Sequence, residues 1–135
     1  MATNIFVNLP VKDLRKSMDF FTKLGFSFNT QFTDHTAACM VISENIYAML
    51  LTHAKFKEFT PKKIADAEKS TEVLTSLSFD SKEKVNQFVD TALKNGAGET
   101  RPTDDYGFMY GRSFNDLDGH IWEAIWMDPS HINKE

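Results

Sequence analysis

The chain has 135 residues, 41% of them hydrophobic and 13% aromatic, which is enough apolar material for a packed core and too much for a disordered class. Its formal charge of −4 argues against sequence-independent binding to nucleic acid, which needs many phosphate-neutralising Lys and Arg side chains. A lone cysteine, Cys39, excludes an internal disulfide and a cysteine-based zinc cluster.

The opening "MATNIFVNLP" has no basic stretch followed by a long apolar run, so no signal peptide is expected. The longest apolar run, "IYAMLL", is too short to cross a bilayer. The expectation is a soluble, cytoplasmic protein with no nucleic-acid or membrane partner.

The first predicted strand is "IFVNLPV", residues 5–11, with Ile5, Val7, Leu9 and Val11 on one face. Asp13 is the expected N-cap of a helix in which Leu14, Ser17, Met18, Phe21 and Leu24 recur at helical spacing, and Gly25 is its expected stop. Strands are then predicted over "FSFNTQF", "TAACMVI" and "IYAMLL", with "SEN" as the turn before the last. Cys39 reads as a small core residue. The polar segment 52–71 reads as a connector with a short helix capped by Thr60 and started by Pro61.

The pattern then returns. "VLTSLSF" (73–79) is a strand, Ser81 an N-cap, and "KEKVNQFVDTALKNG" a helix with Val85, Phe88, Val89, Ala92 and Leu93 in its apolar stripe. Strands follow in "GFMYGRSFND" and "HIWEAIWM". An offset of 68 carries Phe6, Val11, Phe20 and Phe21 onto Leu74, Phe79, Phe88 and Val89; an offset of 75 carries "IYAMLL" onto "IWEAIW". The chain therefore reads as two βαβββ modules, an α+β fold. The first spans 4–52 and the second 72–128, with a connector at 53–71 and a tail at 129–135. In such a module the helix covers one face of a curled sheet and the other face lines a cup.

"IWEAIW" alternates Ile121, Glu123 and Ile125 with Trp122, Ala124 and Trp126. Both faces are apolar except for Glu123. A buried lone carboxylate is costly unless it is paired or protonated. Arg112 and Tyr110 on the preceding strand share a parity and are candidate partners. Asn8, Ser76 and Ser78 share the parity of Phe6 and Leu74 and are candidate hydrogen-bonding groups in the cup. Phe6, Phe114, Tyr110, Tyr106 and Met109 are candidate wall residues.

"VNLPVKDLRKSMDFFTKLGF" and "FNDLDGHIWEAIW" resemble the opening and closing signatures of the vicinal oxygen chelate superfamily, which includes glyoxalases, extradiol dioxygenases, fosfomycin-modifying enzymes and bleomycin-binding resistance proteins. "EFTPKKIAD" and "WEAIWMDPS" resemble a bacterial group labelled predicted lactoylglutathione lyases. The resemblance implies the paired-module fold and a homodimer. It also implies four equivalent metal-ligand positions, which fall here on Phe6, Ala48, Leu74 and Glu123. Only Glu123 carries a donor suited to a divalent cation, so the expectation is a metal-free, cofactor-free cup that binds a small molecule. Its candidate contacts are Glu123, Phe6, Asn8, Ala48, Leu74, Ser76, Tyr110, Arg112 and Phe114. No residue is assigned as a catalyst. The alternative is a glyoxalase-like enzyme with a relocated Ni, Zn, Fe or Mn site, for example Glu123 with His53. His120 and Glu123 fall on opposite strand faces and make no ligand pair.

Overall fold

In the computed structural model, residues 2–132 are described; positions 133–135 of the expected tail lie outside them. The chain divides into two compact units, one ending at Ala65 and one beginning at Asp66. Each carries a mixed, curled sheet.

In the first unit β1 (Ile5–Val11) leads into α1 (Leu14–Lys23), β2 (Ser27–Asn29), β3 (Ala37–Ser43), β4 (Ile46–Thr52) and α2 (His53–Lys57). The sheet order is β1-β4-β3-β2. β1 runs parallel to β4 and the remaining pairs are antiparallel. The Asp13 carboxylate accepts from the Lys16 backbone N–H at 3.1 Å and caps α1 as expected. The helix ends in a Schellman turn: Gly25, at φ +105, donates to Thr22 O, and Phe26 donates to Phe21 O. The buried α1 residues Leu14, Phe20 and Phe21 meet a core of Leu9, Val11, Ala38, Met40, Ala48 and Leu50.

Two local expectations differ from the structure. The strand predicted over 26–32 ends at Asn29, and a 3-10 turn covers Thr30–Phe32. The Asn29 side chain accepts from the Gln31 N–H at 3.0 Å, a local bond that competes with the sheet ladder. The connector helix starts at His53, with Thr52 as its cap, rather than at Pro61. Thr60 Oγ1 instead accepts from Lys62 N at 3.1 Å, which is a hydroxyl-closed turn and not a helix start.

The second unit repeats the order with β5 (Thr75–Ser78), α3 (Lys82–Lys94), β6 (Gly98–Glu99), β7 (Asp104–Asp105), β8 (Met109–Asn115) and β9 (Ile121–Met127), then α4 (Pro129–Ile132). Its sheet runs β5-β9-β8-β6, with β7 also paired to β8. The Ser81 hydroxyl accepts from Lys84 N at 3.1 Å and caps α3. Phe88 of α3 packs its ring on Phe114 of β8, with centroids 5.6 Å apart. Trp122 and Ala124 lie on the same helix-facing side and are fully buried.

Between β8 and β9 the sequence Asp116-Leu117-Asp118-Gly119 makes a tight turn. One oxygen of the buried Asp116 carboxylate accepts from Asp118 N and His120 N, and the other accepts from Trp122 Nε1 at 3.0 Å. Burial pushes this carboxyl's pKa up, while His120 and the hydrogen bonds from Trp122 and Asp118 pull it down. The closing motif thus ties the turn to the tryptophan under the helix.

Candidate functional site

The pleat of β9 sends Trp122 and Ala124 to α3 and Ile121, Glu123 and Ile125 to the opposite face. Ser76 of β5 pairs with Glu123 from one side and Ser113 of β8 pairs with it from the other. The carboxylate is therefore flanked by two serines. The Ser76 hydroxyl donates to Glu123 Oε1 at 2.5 Å. Ser113 is buried and exchanges a hydrogen bond with the Thr100 hydroxyl.

The second partner of Glu123 comes from the sheet edge. β6 pairs Glu99 with Phe114, and β7 pairs Asp104 with Gly111. The four residues 100–103 therefore stand against two, Arg112 and Ser113. This "TRPT" bulge brings Arg101 to the Glu123 face. Its Nη2 lies 3.5 Å from Glu123 Oε2, and its Nη1 donates to Asp104 Oδ2 at 2.6 Å. Hydrogen bonding to Asp104, and more weakly to Glu123, raises the Arg101 pKa. The Glu123 side chain is 17% exposed and the Arg101 side chain 51% exposed, so the arginine is the outer member of the pair.

Arg112, Tyr110 and Phe114 do not share this face. Their parity sends them to α3, because Arg112 pairs with Ala124 and Phe114 with Trp122. Arg112 Nη1 donates to Asn86 Oδ1 and to Asp90 Oδ1, both at 2.9 Å, and the Tyr110 hydroxyl donates to Asn86 Oδ1 at 2.7 Å. Phe114 is fully buried. The partner roles expected of Arg112 and Tyr110 toward Glu123 are thus filled by Arg101 and Ser76. Arg101 escaped the sequence reading because it lies outside any regular strand. The signal available was Pro102, which cannot donate to a ladder and marks an edge bulge.

In the first unit Phe6 and Asn8 lie on the sheet face away from α1. Phe6 stacks on Tyr47 with centroids 4.8 Å apart and remains half-exposed. The Asn8 side chain reaches the Phe6 carbonyl at 3.5 Å. Ala48 is on the other face: it pairs with Val7 and is buried with the α1 core. The residue beside Asn8 is Met49. Since Asn8 corresponds to Ser76, the first-unit counterpart of Glu123 is Met49 and not Ala48. Leu74, just ahead of β5, is exposed. Beside Asn8 lies a hollow of about 430 Å³ lined by Leu51, Phe56, Phe59 and Thr60. His53 is the first residue of α2.

The donor chemistry does not suit a divalent cation. Phe6 and Leu74 offer no ligand atom, Met49 offers only a soft thioether, and Glu123 already faces a guanidinium and a hydroxyl donor. Among the described residues no three His, Cys, Asp or Glu side chains gather in a metal-holding group.

Two βαβββ units, each with a parallel first-to-last strand pair and a helix on one sheet face, define the fold class. A family model, Glyoxalase/Bleomycin resistance protein/Dioxygenase superfamily, matches residues 5–124, and the chain belongs to that superfamily. No curated protein matches it significantly. Among solved structures, a hypothetical protein from S. aureus superposes with a TM-score of 0.78 at 27% identity, covering 93% of this chain and 95% of its own. A glyoxalase/bleomycin resistance protein/dioxygenase family enzyme from Burkholderia phytofirmans PsJN gives 0.76 at 15% identity over 93% and 99% of the two chains. A fosfomycin resistance protein from Mesorhizobium loti gives 0.70 at 12% identity over 99% of each. At such identities the last two speak to fold alone.

Proposed function

We propose that this chain is a small-molecule-binding member of its superfamily that uses Glu123 as a polar anchor for a ligand instead of as a metal ligand. The observation that carries this reading is the Ser76–Glu123–Arg101 arrangement on the face of the second sheet that α3 does not cover. The carboxylate is fixed in direction by the serine, and a carboxylate has about four acceptor positions, so it retains capacity for a further donor. Its neighbours Ile121 and Ile125 supply apolar contact. The charged groups of this cluster are Glu123, Asp104 and Arg101. That leaves one negative charge in excess and favours a cationic or hydrogen-bond-donating ligand.

The test is a ligand screen on protein dialysed against chelator, with each hit measured by calorimetry against Glu123→Gln. Loss of affinity by fivefold or more in the variant is expected. Equal affinity would remove Glu123 from the binding role. Turnover of a hemithioacetal that requires added Ni, Zn, Fe or Mn would replace this reading with the metal-dependent lyase alternative.

A further inference from the structure

We infer that Arg101 is a built-in stand-in for the ligand's cation: its guanidinium holds the place at Glu123 that a planar nitrogen cation of the ligand, a guanidinium or amidinium, takes on binding. The inference rests on the proposed role of Glu123 as ligand anchor and names the class of ligand for it.

Three observations support it. The first is the inequality of the two contacts of Arg101. The bond to Asp104 is short, 2.6 Å, and joins residues three apart on one strap. The contact with Glu123 is long, 3.5 Å. Arg101 therefore keeps its main anchor when the Glu123 contact is given up. The second is exposure. Arg101 is half-exposed and Glu123 is mostly covered, so the arginine is the solvent-facing member of the pair. The third is room. Thr100 is tied to Ser113 by its hydroxyl, and beyond it Arg101, Pro102 and Thr103 border, with Arg112 and Ser113 of β8, a cavity of about 300 Å³. The ladder is interrupted there by four residues against two, so the side chain can swing without breaking paired strand.

Charge accounting gives the ligand class. Exchanging one cation for another leaves Glu123 compensated, and Arg101 stays compensated by Asp104. An anionic ligand drawn to Arg101 would meet two carboxylates within the same cluster. A neutral ligand would have to leave Arg101 in place. The planar fork of a guanidinium matches a carboxylate in two parallel bonds, which the long single contact of Arg101 does not achieve.

The experiment is a chemical-rescue titration. Methylguanidinium is added to isotope-labelled wild type, Arg101→Ala and Arg101→Ala/Glu123→Gln, and the side-chain carboxylate carbon of Glu123 is followed by NMR where it is present, with backbone amides of β9 as the second readout. Saturable binding is expected in Arg101→Ala, at least tenfold weaker binding in wild type, and none in the double variant. Arg101→Lys should behave as wild type because it keeps the internal cation. If Arg101→Ala fails to fold, Arg101→Gln replaces it. Absence of saturation in a folded Arg101 variant overturns the inference. So does a screened ligand that loses affinity when Arg101 is removed, since Arg101 would then be a ligand contact. Either result leaves the anchor reading to stand or fall on Glu123→Gln alone.

Discussion

Gly119 lies against the backbone of Glu68: a Cβ at Gly119 would come 2.8 Å from the Glu68 backbone nitrogen and 2.9 Å from the Ala67 carbonyl carbon. The glycine also has φ +93, in the left-handed region. The turn after β8 and the segment leading into β5 are thus in contact at a point that only glycine permits. Gly119→Ala should cost about 1–3 kcal/mol for the backbone conformation alone, with displacement of residues 67–68 added. Urea unfolding read by tryptophan fluorescence checks this, since Trp122 hangs from the same turn through Asp116. A loss of only a few tenths of a kcal/mol would mean that the segment yields freely.

Asn86 is the shared acceptor for Tyr110 and Arg112, and Asp90 serves Arg112 alone. The Asn86 bonds are part-buried, whereas the Asp90 side chain is 56% exposed. Asn86→Ala should therefore destabilise by about 1–3 kcal/mol, because the part-buried Tyr110 hydroxyl loses its acceptor and Arg112 Nη1 keeps only Asp90. Asp90→Ala should cost less than about 1 kcal/mol, as solvent screens an exposed ion pair. Thermal unfolding of the two variants side by side gives the comparison, and the reverse ranking would contradict the account.

Much of this fold was legible from periodicity. Asp13 and Ser81 cap the helices they were read to cap, and β1, β4 and β9 fall where alternation placed them. The repeat itself was visible because each unit must bury the same helix and the same strand face. The site was less legible, for a physical reason. An offset of 75 aligned β4 with β9 by matching apolar residues, but both faces of these strands are apolar, so a slip of one residue costs little in the comparison while reversing every face. The registers Asn8↔Met49 and Ser76↔Glu123 show the offset to be 74. Parity likewise put Tyr110 and Arg112 together correctly, but the place expected for them beside Glu123 was the wrong face, since they pair with Trp126 and Ala124 and turn to α3. Arg101 needed the bulge, and a bulge is set by ladder pairing between distant segments.

Ser76 and Glu123 should be energetically coupled. The hydroxyl-to-carboxylate bond is 2.5 Å long and links two strands 47 residues apart in sequence. Ser76 is exposed, so the bond is worth about 0.5–1.5 kcal/mol net and no more. A double-mutant cycle with Ser76→Ala and Glu123→Gln should return a coupling of at least about 0.5 kcal/mol. The same Ser76→Ala substitution should weaken an anchored ligand by a few fold, because the carboxylate loses its fixed direction. Zero coupling with unchanged ligand affinity would mean that the serine does not orient the acid.

Asp34 gives a pH dependence with a definite sign. Its Oδ1 accepts from the Thr36 backbone N–H at 2.8 Å, from the Thr36 hydroxyl at 2.8 Å and from the Ala37 N–H at 3.0 Å. These bonds, led by the Thr36 backbone N–H, hold its pKa below the ordinary 3.8. A depressed carboxyl contributes stability that is present in full well above the unfolded value and is lost as pH falls through the folded one. The contribution therefore fades with acidification below about pH 4. Asp34→Asn keeps an acceptor oxygen of the same shape but does not titrate, so the variant isolates the charge. Wild type should be the more stable protein near neutrality, and its advantage should shrink steadily as pH is lowered through the acid range. Urea midpoints for both proteins across that range test the sign. A growing wild-type advantage on acidification would show that the loop before β3 does not favour the ionised form.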